Sequence, residues 1–208
     1  MGWTTSATGE EDPMPYGIGA LGAALFVLVF LIDGATRPGY SPTRHTVSAL
    51  ALGPRGWLQR ANFVLCGAAI TGSAVRLLTS GDHQMLGLVL TIFGLGLVVS
   101  VVPMDPMRSY PPGTPDRDPT EFSVAHAVHD VAGAAVFFAL PVIAVVSAFT
   151  LPGTAWTVGA VLVLIVLMVA LIAFQRAWEQ DSPTTGTAQR AVLVPGLLWV
   201  AAVFASFA

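Results

Sequence analysis

Residues 154–175, TAWTVGAVLVLIVLMVALIAFQ, contain no charged side chain. A helix rises about 1.5 Å per residue, so this run reaches across the roughly 30 Å hydrocarbon core of a bilayer. It sets the fold class as all-α, with lipid as the solvent. Five further apolar runs lie at 16–33, 57–79, 84–104, 122–149 and 190–207, with ionisable groups only toward their ends. Lipid leaves no partner for an unsatisfied backbone, so the runs are read as spanning helices. The expectation is one transmembrane domain over 1–208, an integral membrane bundle of six helices. Pro141 and Pro195 fall inside the fourth and sixth runs, where kinks are expected.

Composition agrees. The chain is 54% hydrophobic and 10% charged, against about 25% charged in soluble domains. The net charge of -3 offers no basic patch, so nucleic acid is not an expected partner. All nine strong cations are arginine. Cys66 stands alone, which excludes an internal disulfide and a thiolate metal cluster, and its apolar setting reads as packing. The first fifteen residues carry Glu10, Glu11 and Asp12 and no cation. That charge is wrong for a secretory leader, so the first helix is expected to stay. Gly67, Ala68, Ala69, Gly72 and Ser73, with Gly87, Gly94 and Gly96, read as close helix–helix packing.

The arginines set an expected orientation. Arg37, Arg44, Arg55 and Arg60 border the first connection, Arg108 and Arg117 the third, Arg176 and Arg190 the fifth; only Arg76 borders an even one. The odd connections should therefore be cytoplasmic, with the N- and C-termini outside a multi-pass plasma (inner) membrane protein. In the first connection, 46–52 reads as a short helix in the interface. In the third, 105–121 (DPMRSYPPGTPDRDPTE) has five prolines and reads as a stiff flap. Residues 181–188 read as a polar loop.

Ionisable groups near a bilayer are expensive and each needs a reason. Asp33, His45, Asp105, His126, His129, Asp130 and Glu179 all collect at the end of the odd connections. The densest cluster is FSVAHAVHDVAG, 122–133, where His126, His129 and Asp130 share one helix face with Ser123 and Gly133. Such a stripe should face the bundle interior. It can serve acid–base chemistry, or it can hold a metal with His45 added. Equally, the histidines can satisfy backbone groups near the headgroups. Asp105, between an apolar run and the flap, either has a raised pKa as a general acid, or caps the flap or pairs with Arg108. Asp33 and Arg37, four apart, read as an ion pair at a helix end. Tyr40 and Tyr110 are interface aromatics by default, with a mouth-lining role as the alternative. His83 reads as solvated. There is no phosphate loop, nucleophile elbow or aspartate-rich diphosphate motif.

The segments RPGYSPTRHTVSALALGPRGWLQRANFVLCG (37–67), VVPMDPMRSYPPGTP (101–115) and AHAVHDVAG (125–133) resemble the signature of a bacterial six-helix membrane family known as domain of unknown function 998. The resemblance implies a six-helix bundle and no settled activity. Its matching polar positions are Arg37, Tyr40, His45, Ser48, Asp105, Tyr110, His126, His129 and Asp130. The run FSVA ahead of the histidines is less polar than the family's usual one, which bears on where the fourth helix starts.

The leading functional expectation is an enzyme acting on a lipophilic, isoprenoid-like substrate from the cytoplasmic face, in its sharpest form a proton-initiated terpene cyclase. It would need no cofactor. Asp105, His126, His129 and Asp130 are its candidate catalytic residues. Asp33, Arg37, Tyr40, His45, Trp57, Tyr110, Phe122 and Trp178 are candidates for binding substrate, the aromatics by stabilising positive charge. The second expectation is a metal-dependent lipid hydrolase with zinc on His45, His126, His129 and Asp130. The third is a non-enzymatic lipid-binding, transport or sensor protein.

Overall fold

The computed structural model describes residues 14–208. The acidic stretch at Glu10, Glu11 and Asp12 lies outside the described residues. Six helices follow one another: α1 Met14–Thr36, α2 Gly56–Thr79, α3 Gln84–Val99, α4 Val124–Thr150, α5 Thr154–Glu179 and α6 Thr185–Ala205. Among the described residues there is no strand. Each helix packs on its successor and α6 returns to α1, so the bundle is a closed ring. The helices run on through Pro141 and Pro195.

The ring is apolar inside and out. Phe26, Phe30, Phe93 and Phe204 are fully buried, while Leu21, Leu25 and Leu28 of α1 and Leu162, Ile165 and Val169 of α5 point outward. A water-soluble surface does not carry such a belt, and a bilayer does. Five helices are long and apolar enough to span one. Small residues bring α2 and α3 together: a Cβ on Gly94 would lie 2.4 Å from Thr71 Oγ1, and one on Gly67 would lie 2.9 Å from Val98 N.

The largest correction concerns α3. The apolar run 84–104 reads as one span, but the helix is 16 residues, about 24 Å long, and stops at Val99. Pro103 has no N–H to continue the ladder. Ser100 Oγ donates to Gly96 O at 2.8 Å and closes the last turn. The chain from Ser100 to Met104 then stays against the bundle, with both of those residues buried.

The other corrections are smaller. α6 starts at Thr185, not 190, because Thr185 Oγ1 donates to Ser182 O at 2.7 Å and Ala177 O at 2.9 Å, which ties the start of α6 to the end of α5. Part of the polar stretch 181–188 is thus helical. α5 runs a turn past 175, to Glu179. The segment read as an interfacial helix is a 3-10 turn, Val47–Ala51, whose Val47, Ala49, Leu50 and Ala51 are buried. It plugs one end of the ring between α1, α2 and α6. Gly186 lets α6 approach it, since a Cβ there would lie 2.3 Å from His45 O.

All three odd connections meet at this plugged end. At the other end, Phe207 lies 5.7 Å from the Tyr16 ring and 5.0 Å from that of His83, so His83 packs against an aromatic ring as well as meeting solvent.

Candidate functional site

Arg37 organises the plugged end. Its Nη1 donates to Leu50 O at 2.7 Å, Leu52 O at 3.0 Å and Tyr110 Oη at 3.2 Å. Nη2 donates to Arg55 O at 2.9 Å, and the same guanidinium pairs with the Asp33 carboxylate. Arg55 adds a second cation to Asp33 at 2.7 Å. Asp33 and Arg37 are both buried. Charges out of water persist only when paired and hydrogen-bonded, and these are. The expected ion pair is therefore present, and it leaves Asp33 and Arg37 no capacity to bind a substrate.

Tyr40 continues the network. Its hydroxyl donates to Thr46 O at 2.8 Å and accepts from Arg190 Nη2 at 2.5 Å. Burial, opposed by Arg190, pushes the phenol up to about 12, so it remains a donor. The His45 ring lies 5.3 Å from Tyr40 and 5.2 Å from Tyr110. Its Nδ1 accepts from Ser41 N at 3.0 Å. Burial pushes this imidazole below its ordinary pKa, so it is neutral with the proton on Nε2.

The early end of α3 explains the α4 histidines. Where the helix stops, backbone groups need partners. His129 Nδ1 donates to Val102 O at 2.7 Å, and His126 Nδ1 accepts from Asp105 N at 2.9 Å. His126 Nε2 then reaches Asp130 Oδ2 at 3.2 Å. Asp105 accepts from Ser123 N and Ser123 Oγ, each at 2.7 Å, while Ser123 Oγ accepts from His126 N at 3.1 Å and caps α4.

These contacts revise the reading of Asp105. The hydrogen bonds from Ser123 hold its carboxyl below the usual range, opposite to a general acid waiting at neutral pH. Nor does it pair with Arg108, which engages Asp118 at 2.9 Å and Asp181 at 3.2 Å. The inward-facing stripe also needs amending: His126 and His129 are buried, but the Asp130 side chain is 63% exposed.

A cleft of about 240 Å³ opens between α4, α5 and α6. One wall is polar: His129 and Asp130 from α4, Gln175 from α5 and Gln189 from α6. The other is aromatic, with Phe137 and Phe174 rings 5.2 Å apart and Phe174 and Trp178 6.3 Å apart. His129 gives its Nδ1–H to Val102 O, so in its neutral form Nε2 carries the lone pair. Gln189 gives only its Oε1 to the plug, accepting from Val47 N at 2.6 Å.

Of the residues singled out from the sequence, Ser48, His129, Asp130, Gly133 and Trp178 line this cleft. Trp57 is 66% exposed on the outer surface. Phe122 stacks on His126 at 4.3 Å and does not line the cleft. Phe137, Phe174, Gln175 and Gln189 were missed. Phe137 lies on the stripe His126–Asp130–Gly133 continued by one turn, so helical spacing could have found it. Gln189 could not be found while the sixth helix was taken to begin at 190.

The metal set does not assemble. Among the described residues, no three His, Cys, Asp or Glu side chains form a group able to hold an ion. His45 stands with the tyrosines, and the Nδ1 atoms of the two α4 histidines serve the backbone.

The family model described as protein of unknown function (DUF998) matches residues 20–206. No curated protein and no solved structure matches the chain.

Proposed function

We propose, for a chain that belongs to the DUF998 family, a function argued from its own residues: a membrane-embedded enzyme that performs acid–base chemistry on a lipophilic, isoprenoid-like substrate held between α4, α5 and α6. One observation carries this reading. The cleft joins Asp130 and His129 on one wall to Phe137, Phe174 and Trp178 on the other. Ionisable groups with hydrogen-bond capacity to spare, beside an aromatic surface in an apolar bundle, suit a reaction with cationic character.

In its sharpest form the reaction is a proton-initiated cyclisation. The Asp130 carboxyl, in its protonated form, transfers its proton to a carbon–carbon double bond. The cation closes a ring by taking the electrons of a second double bond, with the aromatic wall facing the positive charge. A proton lost from the adjacent carbon goes to the His129 Nε2 lone pair, and exchange with water returns one to Asp130. The step is an isomerisation and needs no co-reactant. His126 positions Asp130 through its Nε2–H. Asp105 has no part in the transfer, because Ser123 occupies it. The arginine bias favours entry from the cytoplasmic face of the plasma membrane. The zinc hydrolase is not favoured, since its donor set does not converge.

The test is incubation of detergent-purified protein with polyprenyl alcohols and polyprenyl monophosphates of graded length in heavy water. Deuterium should enter a cyclised product. Asp130→Asn should lower that rate at least about 100-fold without unfolding the protein. Full activity in folded Asp130→Asn and His129→Gln proteins overturns the assignment. Saturable binding with no labelled product replaces the enzyme by the lipid-binding, transport or sensor reading.

A further inference from the structure

Beside the cleft lies a second, smaller cavity of about 20 Å³, lined by Arg44, His45 and Arg108 among others. Among the described residues each of these three presents a buried N–H without a well-formed hydrogen bond: Arg44 Nε, Arg108 Nη1 and His45 Nε2, the last with only the Arg108 backbone near it. The other orphaned nitrogens, on Gln59 and His83, lie elsewhere in the bundle.

The donors are fixed by what their neighbouring atoms do. Ser41 N–H occupies His45 Nδ1, which puts the proton on Nε2. Asp118 and the Trp178 carbonyl take Arg108 Nε and Nη2, leaving Nη1. Asp116 takes Arg44 Nη2, leaving Nε. The two threonine hydroxyls lining the cavity send their protons elsewhere, Thr46 to Met104 Sδ and Thr185 to Ala177 O, and the Tyr110 hydroxyl accepts from Arg37 Nη1. Buried donors without acceptors are costly, and three around one cavity call for a single shared acceptor.

Charge narrows its nature. The carboxylates that pair with Arg44 and Arg108 are those of Asp116, Asp118 and Asp181, with side chains 60, 42 and 49% exposed. They sit on the water side and are screened there, while the orphaned N–H groups are buried. A water molecule fits the volume, but it accepts two such bonds and brings no charge to two guanidinium groups. An oxygen of a phosphate or carboxylate accepts more and matches them.

Position supplies the rest. Thr46, Met104 and Trp178 line both this cavity and the large cleft. We propose that the small cavity is an anionic headgroup site, taking one oxygen of a phosphate or carboxylate whose hydrocarbon chain lies in the α4–α5–α6 cleft. The chain's placement rests on the reading of the cleft given above. The cavity admits one oxygen, and the remainder of the headgroup lies toward the Arg44 side chain, which is 32% exposed. The substrate class is then an anionic lipophile, and Arg44, His45 and Arg108 select for its charge.

The experiment measures binding of dodecyl phosphate, dodecanol and inorganic phosphate to the full chain in a nonionic detergent. Dodecyl phosphate should bind at least about tenfold more tightly than dodecanol, the worth of one charge-assisted hydrogen bond. His45→Asn keeps an acceptor for Ser41 N–H but removes the Nε2 donor, and it should lose that advantage; His45→Gln, which restores a donor at that reach, should recover it. Arg44→Met at the rim is the second variant, should His45→Asn not fold, and it should lose the same advantage. Equal binding of dodecyl phosphate and dodecanol overturns the headgroup site and leaves the cleft reading standing. Inorganic phosphate matching dodecyl phosphate, with dodecanol inert, keeps an anion site and overturns the chain in the cleft. No binding of any of the three overturns both.

Discussion

The Arg37 hub and the α4–α5–α6 cleft lie at the same end of the ring and use similar residues, yet they differ in what is left over. Around Arg37, the guanidinium, the Asp33 carboxylate and the Tyr40 hydroxyl all meet partners inside the protein. In the cleft, Asp130 meets His126 and is otherwise 63% exposed, and His129 gives its Nδ1–H to Val102 O. Polar residues at the end of a membrane bundle are therefore not evidence of a site. Unused hydrogen-bonding capacity facing a cavity is, and it is what the proposed function rests on.

The contrast breaks first at Asp33. Asp33→Ala leaves Arg37 and Arg55 beside an empty carboxylate position, and should cost about 3–5 kcal/mol of stability, read as a large fall in the thermal midpoint in detergent. A loss under about 1 kcal/mol would show that the hub is not scaffold. Next, Ser123→Ala removes the α4 cap and a partner of Asp105, for about 1–2 kcal/mol and early loss of helicity on heating.

A pH titration sharpens the same division. Asp105 has a folded pKa below its unfolded value, so its contribution is whole above about pH 4 and is lost as pH falls through the folded value. Thermal midpoints taken from pH 6 down to pH 3 should show this acid limb flatten in Asp105→Asn. An unchanged limb would mean that Ser123 does not hold the carboxylate. Least of all, Asp130→Asn should shift stability by no more than about 0.5 kcal/mol, although it removes the proposed acid. A large stability loss there would move Asp130 into the scaffold.

The sequence showed the bundle clearly because hydropathy over a 20-residue scale reports solvent, and lipid is an unambiguous solvent. It showed the polar end for a related reason: charges cannot be scattered through hydrocarbon. The end of α3 was hidden because 100–104 is as apolar as the helix before it. What stops the helix is one absent N–H at Pro103 and one serine hydroxyl at Ser100. The 3-10 turn was misplaced because a mildly apolar segment fits an interface as well as an interior. Trp57 and Trp178 were indistinguishable as letters. Only helix rotation puts one on the outer surface and the other against Arg108, at 4.1 Å from its guanidinium. The α4 histidines were ambiguous for a chemical reason: an imidazole has two nitrogens, and here Nδ1 of each serves the backbone while Nε2 of His126 turns to Asp130.

The closed ring has a consequence for biogenesis. During synthesis each helix from α2 onward arrives beside a neighbour already in place, but α1 has only one flank covered until α6 emerges. The seam between them is where Gln189 meets Val47 and Arg190 meets Tyr40. A nascent chain halted before that point lacks the Gln189 acceptor for Val47 N–H and the Arg190 cation beside the Tyr40 hydroxyl. Completion of the last helix supplies both, so the first connection reaches its final hydrogen bonding only when the whole chain is made.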